Sequence, residues 1–360
     1  MSQQLITNLA QVTPEWLTTV LKGSGVLRHG QVTGFEIAGG QGNWSRSGVL
    51  RLQYAEDAEG ECPRTLFLKM VETDLGDGET FGPSEVEYYT RDYVGLTGAP
   101  LLRCYDACYS EGQQGYHLLL QDVSGTHIEA AEKTPALAYG LALVEGLAIL
   151  HAHYWGAERL AKANAPIHDA NHIRRFVDIS VPGAEHIIAH VSHELERHWP
   201  TAIRRLCARI AQVMVARSRE LNGFTVIHGD VGHRNVLTPR DGETPLYIID
   251  RQPFNWSLTT WLGVYDVAYA IVLDWEPALL RQWQRSLLRH YQETLIRHGV
   301  QRYGWQQLWD DYRLCAAMCV LIAVEYCRGG INEKWRRAWL PMLQWAMLAC
   351  DELGCDELWD

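Results

Sequence analysis

Hydrophobic and polar positions divide the chain into a first third patterned for strands and a remainder patterned for helices. Residues 31–38 predict a strand, and Val49-Leu50-Arg51-Leu52-Gln53-Tyr54 alternates with the period of two of a half-buried strand. Between them runs Gly39-Gly40-Gln41-Gly42-Asn43-Trp44-Ser45, a glycine-rich turn that makes the pair a hairpin. Residues 55–63 are acidic and loop-like. Thr65-Leu66-Phe67-Leu68-Lys69-Met70-Val71 predicts a third strand, almost wholly apolar apart from its lysine. Residues 83–96 have helical periodicity, with Pro83 suited to the first turn, and two more strands are expected near 102–109 and 116–121.

From residue 135 onward helices dominate. Residues 136–154 are apolar on nearly every side, as a buried helix is; residues 202–220 and several stretches after 264 are also helical in period. A strand-rich island at 224–250 interrupts them. At 360 residues the chain exceeds the size of one hydrophobic core. The expectation is a bilobal α+β fold, with a β-rich N-terminal lobe at 1–121 and a mainly helical C-terminal lobe at 122–360.

Composition narrows the function classes. A net charge of −11 argues against general binding to nucleic acid or an anionic membrane, since both need basic patches. It suits a neutral or cationic ligand. The nine cysteines include no CxxC pair, and Cys104/Cys108 and Cys315/Cys319 sit among apolar neighbours as buried thiols, which fits a reducing, cytoplasmic setting. The first residues lack the basic and apolar regions of a signal peptide, and the apolar run 315–324 is far short of the roughly 20 residues that span a bilayer.

The island carries the chemistry. In His228-Gly229-Asp230-Val231-Gly232-His233-Arg234-Asn235 a carboxylate and an amide stand five positions apart after an apolar strand, and a second strand at 246–249 delivers Asp250. This D-x-x-x-x-N spacing followed by a metal-binding aspartate is the pattern of phosphoryl-transfer catalysis. A carboxylate can orient an acceptor hydroxyl and take its proton, while Asn235 and Asp250 offer the oxygen ligands that magnesium prefers. Asp and Asn also recur in ordinary turns. Three further features favour chemistry. The glycine turn can bring backbone amides to phosphate, with Asn43 or Ser45 adding a side-chain donor. Lys69 lies inside an apolar strand, where a lysine either snorkels outward or holds an anion. The following helix offers Glu85 and Glu87. At about 100° per residue, Val86, Tyr89, Tyr93 and Leu96 define its buried stripe, which places Glu85 at the edge and Glu87 nearly opposite. Glu85 is the expected partner of Lys69.

With these pieces the chain resembles the aminoglycoside phosphotransferase and choline kinase superfamily, which shares the protein-kinase-like fold. The matching residues are Lys69, Glu85 through Tyr89, the hinge Leu118 through Val123, His228-Gly229-Asp230 through Asn235, Ile249-Asp250, and Tyr265-Asp266-Val267-Ala268-Tyr269. Thr13-Pro14-Glu15-Trp16-Leu17 and Gly125-Thr126-His127 look most like the ecdysteroid-kinase-like branch. The resemblance implies ATP (or GTP) and Mg2+, with Asp230 as catalytic base, Asn235 and Asp250 on the metal, and Lys69 on the phosphates. It further implies the Gln121 and Val123 backbone on the adenine, and His228 and Asp266 bracing the loop. The partner is then a small-molecule hydroxyl acceptor. The chain departs from its relatives at Arg251, where an aromatic residue is usual and a cation could contact phosphate or compete with magnesium, and at His233, one place late in the loop.

Other readings attach to particular residues. His186, His190 and His193 at i, i+4 and i+7 could face one zinc ion, although that spacing ordinarily marks a solvated face. Trp256 and Trp261, just past Asp250, could line an acceptor pocket or serve as core. The alternative function is a pseudokinase, a nucleotide-binding or scaffolding module that keeps the fold.

Overall fold

The structure, a computed structural model, describes residues 4–41, 45–76, 79–163 and 165–358. The chain forms two compact units. The first comprises the described residues of Met1–Thr97, with Leu101–Ile128 and Tyr247–Asn255; the second comprises Gly98–Pro100, Glu129–Leu246 and Trp256–Asp360 as far as they are described.

The first unit is built on a five-stranded antiparallel sheet of β1 (Val32–Gln41), β2 (Ser45–Tyr54), β3 (Thr65–Glu72), β4 (Cys104–Ser110) and β5 (Gly115–Gln121). Its strand order is β1-β2-β3-β5-β4, so β3 is central and Lys69 lies between Ser47 of β2 and Leu118 of β5. The period of two then sorts β3. Leu66, Leu68 and Met70 join the apolar core on one face, under helix α1 (Pro14–Gly23), which buries Trp16, Leu17, Val20 and Leu21 there. Lys69 belongs to the other face. The start of the chain is pinned by His117 of β5, whose Nδ1 accepts the Ile6 backbone N–H at 3.1 Å while Nε2 lies 3.3 Å from Asp106.

The helix expected over 83–96 is shorter. Helix α2 covers only Ser84–Glu87 and runs into a wide π turn, Tyr88–Asp92. Aromatic and β-branched residues and Gly95 are poor helix formers. The adjoining tyrosines 88 and 89 also pack edge-on at 5.2 Å, which the wider turn accommodates. Segment Tyr247–Asn255 closes this unit: Phe254 packs edge-on against Phe81 at 5.0 Å, and Asn255 Nδ2 donates to Thr80 Oγ1 at 2.9 Å.

The second unit is helical around a buried centre. The helices used below are α3 (Leu137–His153), α4 (Ala170–Asp178), α5 (Val181–Val191), α6 (Trp199–Arg217), α7 (Val264–Val272), α8 (Pro277–Arg297), α9 (Trp305–Glu325) and α10 (Arg336–Leu353). The apolar run at 315–324 is the heart of α9, packed on α7 and α10. At its crossing with α5 only a glycine fits, because a Cβ on Gly183 would collide with the Val324 carbonyl. Strand β6 (Phe224–Val226) pairs antiparallel with β8 (Thr260–Leu262), and β7 (Val236–Pro239) follows the loop that carries Asp230. Among the described residues, no helix is long and apolar enough to cross a membrane.

Candidate active site

Two sets of side chains stand out, one in each unit. In the first, Lys69 is 8% exposed, and its Nζ lies 2.7 Å from Glu85 Oε1 and 3.0 Å from Asp250 Oδ1. Glu85 is buried, and its other oxygen accepts the Tyr116 hydroxyl. Glu87, the competing carboxylate, instead pairs with Arg91 at 2.6 Å. Burial works against the Lys69 charge, yet the carboxylates of Asp250 and Glu85 more than offset it and raise its pKa. Burial, with Asp250 adding, pushes Glu85 above the ordinary carboxylate range despite Lys69 and Tyr116. One ammonium thus serves two carboxylates. The surplus negative charge falls on Asp250, whose side chain is 46% exposed.

Asp250 follows a short strand and sits at φ +60°, in the left-handed region. A non-glycine residue there costs on the order of 1–3 kcal/mol and persists only where its surroundings hold it. Arg251 does not reach toward the exposed end of Asp250. It is 2% exposed, 2.6 Å from Asp92 Oδ2, and its guanidinium carbon lies 5.8 Å from the centre of the Tyr88 ring. The expectation that Arg251 contacts phosphate or competes with magnesium is therefore corrected, since its charge is neutralised internally.

Ser45 opens β2 opposite Val71; Asn43, with Gly42 and Trp44, lies outside the described residues. At the end of β5 the Gln121 N–H donates to the Arg103 carbonyl at 2.8 Å. The Val123 carbonyl accepts the Thr126 and His127 amides at 2.9 and 2.8 Å.

The second set surrounds Asp230. Its Oδ1 accepts the Tyr269 hydroxyl at 2.6 Å and its Oδ2 accepts Asn235 Nδ2 at 3.0 Å, so both oxygens are aimed. Asn235 Nδ2 also reaches the Asp230 carbonyl at 2.8 Å, which closes the loop on itself. Beneath it lies Asp266, fully buried on α7. Its carboxylate accepts the His228 and Gly229 amides at 2.7 and 2.9 Å and lies 3.0 Å from His151 Nε2. Burial opposes that charge, but the bonds from His151 and the loop outweigh it and hold Asp266 below its usual pKa. Gly229 takes φ +84°, a conformation that turns its amide onto this carboxylate at no side-chain cost. The His228 ring also serves the loop, since its Nδ1 accepts the Asp230 amide at 3.3 Å.

Asp274, just past α7, holds the loop from another side. It accepts the His233 amide at 2.6 Å and lies 3.1 Å from His233 Nδ1. Burial, opposed by the His233 amide and aided by the Asp230 charge, lifts its pKa from 3.8 to about 7. The folded state therefore keeps a proton that the unfolded chain has already released, and stability falls as pH rises from about 4 to about 7. Asp274→Asn should remove this fall, by up to about 1.4 kcal/mol per pH unit. Denaturant melts of both proteins across that range check it; parallel curves would show that Asp274 does not titrate there.

No family model matches the chain, and no curated protein matches it in sequence. Solved structures match it in fold. A spectinomycin phosphotransferase solved with ADP and spectinomycin superposes with a TM-score of 0.54 at 11% identity, covering 96% of this chain and 99% of the other. The choline kinase from Cryptosporidium parvum Iowa II gives 0.53 at 9% identity, with 96% of each chain covered. Plasmodium vivax ethanolamine kinase gives 0.52 at 11%, covering 88% and 82%. The chain shares the α+β fold of these phosphotransferase and kinase structures.

Within this kinase-like fold the sequence analysis missed several positions. His151 could be sought as a histidine within an apolar helix, and Tyr269 lies in the segment already singled out around Asp266. Tyr116, Asp92 and Asp274 carry no local sign of their partners. Trp256 and Trp261 are both buried, the first against Phe176 and the second against Phe224, so they serve as core rather than as pocket walls. The three histidines that could face zinc are not gathered. His186 bonds the Cys327 carbonyl at 2.9 Å, while His193 lies beyond α5, beside Glu194 at 3.4 Å. Among the described residues no group of three or more His, Cys, Asp or Glu side chains is placed to hold a metal ion.

Proposed function

We propose that this chain is a kinase that transfers the γ-phosphoryl group of ATP or GTP to the hydroxyl of a small neutral or cationic acceptor. The observation that carries the reading is the Asp230 carboxylate, gripped at one oxygen by Tyr269 and at the other by Asn235. Such a group can orient an acceptor hydroxyl and receive its proton as the phosphoryl group leaves the nucleotide. Lys69, held by Glu85, is the cation for the nucleotide phosphates. The Gln121 carbonyl and Val123 amide are the backbone groups for the base, with Ser45 and Asn43 on the phosphate side. Asp250 and the Asn235 amide oxygen are the magnesium ligands. The chemistry of this donor set fits a hard cation, and the charge surplus at Lys69, Glu85 and Asp250 supplies the attraction. Magnesium, when bound, would neutralise phosphate charge.

A net charge of −11 biases encounter toward neutral or cationic acceptors. The free cysteines among the described residues fit a cytoplasmic setting.

The test is coupled nucleotide turnover, with ATP and with GTP, across a panel of amino alcohols, sugars, aminoglycosides and sterol-like alcohols. Magnesium-dependent turnover that requires one of these acceptors is expected, with anionic acceptors poorest. A nucleotide-induced rise in melting temperature with no acceptor-dependent turnover would instead identify a pseudokinase. A strongly anionic acceptor preferred over every cationic one would overturn the substrate class.

A further inference from the structure

The kinase reading leaves Arg251 without a task, although it is among the largest fully buried side chains of the molecule. Its Nη1 reaches Asp92 Oδ2 at 2.6 Å and the Ser84 carbonyl at 3.3 Å. Ser84 is the first residue of α2 and Asp92 the last of the wide turn that continues it. One guanidinium therefore holds both ends of the element that carries Glu85. The next residue adds a tie, since the Gln252 carbonyl accepts Ser84 Oγ at 2.7 Å. Asp92 is itself fixed from behind by Arg91 Nε, 2.7 Å from Oδ1.

The element needs such support. A single α turn followed by a π turn is far below the length at which a helix holds itself, and the left-handed backbone at Asp250 persists only where neighbours over-determine it. Arg251 meets both needs. The plane of a guanidinium fixes the directions of its N–H groups, whereas a lysine ammonium is a rotating point donor on a flexible stem.

We infer that Arg251 and Asp92 are a positioning pair that couples Glu85 to Asp250, so that the partner of Lys69 and the proposed metal carboxylate are set together. What the coupled groups do rests on the kinase reading; the coupling itself does not. Neither residue touches substrate.

The test uses the full chain and the double variant Arg251→Met with Asp92→Leu, which removes both buried charges and leaves apolar groups of similar size, a replacement that buried ion pairs often tolerate. Hydrogen–deuterium exchange should quicken at 84–92 and 250–255 while Phe224–Val226 stays as protected as before. A fluorescent ATP analogue, titrated at several magnesium concentrations, should bind about tenfold more weakly. Arg251→Lys, which keeps the charge but not the fixed plane of donors, should show the same changes to a smaller degree and serves if the double variant does not fold. Unchanged exchange at 84–92 and 250–255 overturns the inference. If the wild-type chain binds no magnesium nucleotide, the kinase reading falls and the exchange data alone decide the coupling.

Discussion

Asp230→Asn is expected to keep nucleotide and magnesium binding and to lose roughly 10²- to 10⁴-fold in turnover, the usual worth of a positioned acid–base group. The structure explains why so conservative a change should be severe. Asp230 accepts at both oxygens, from the Tyr269 hydroxyl and from the Asn235 amide. An asparagine there offers one acceptor and one donor, so the Tyr269 hydroxyl must turn from donor to acceptor to keep both contacts, and the group can no longer take a proton. Raising magnesium should not restore activity. Asp250→Asn should respond at least partly to added magnesium, because its loss weakens the proposed metal site rather than the proposed proton acceptor. Steady-state rates of both variants against magnesium concentration separate the two roles. Wild-type turnover by Asp230→Asn would remove the base assignment.

The second large effect is expected from Lys69→Met, on two scales at once. Nucleotide binding should fall sharply. Stability should fall too, by about 3–5 kcal/mol, because Glu85 is left buried without its ammonium. This loss should depend on pH, with a definite sign. Burial already holds Glu85 above the ordinary carboxylate range, and removing Lys69 takes away the main opposing charge. A carboxylate whose folded pKa is raised is tolerated at acidic pH, where it is protonated, and penalised as pH climbs from the unfolded value through the folded one. The variant should therefore lie nearest wild type at the acid end of a pH series of melts and furthest from it at the alkaline end. A penalty independent of pH would mean that Glu85 finds another cation. An unchanged nucleotide-induced shift in melting temperature would remove Lys69 from the phosphate site.

Features written locally in the chain were legible without coordinates. Asp230 and Asn235 are five residues apart, so their hydrogen bond is a property of one loop. Lys69 shows itself because a strand buried on both faces admits few charges, and the choice of Glu85 over Glu87 follows from the rotation of one helical turn. Other features depend on contacts between distant segments, for which no periodicity exists. Arg251 meets Asp92 across 159 positions, and His151 meets Asp266 across 115. Asp92 and His151 alone look like ordinary buried or surface polar groups. The aromatic residues after Asp250 stayed open between pocket and core for a related reason: proximity in sequence to a reactive group does not say which way a large apolar side chain turns, and both tryptophans turn into the core. The end of α2 was missed because the buried stripe continues past the point where the backbone widens.

The buried contact between Arg251 and Asp92 also restricts how this sequence can drift. Asp92 changed by itself strands the Arg251 charge away from water, and Arg251 changed by itself leaves buried Asp92 to Arg91 alone, whereas the two changed together to apolar groups leave a site that can still pack. Substitution should therefore proceed through paired replacement. Among natural chains of this fold, an aromatic or aliphatic residue at the position of Arg251 should be accompanied by an uncharged one at the position of Asp92, and chains that keep one charge without the other should be rare.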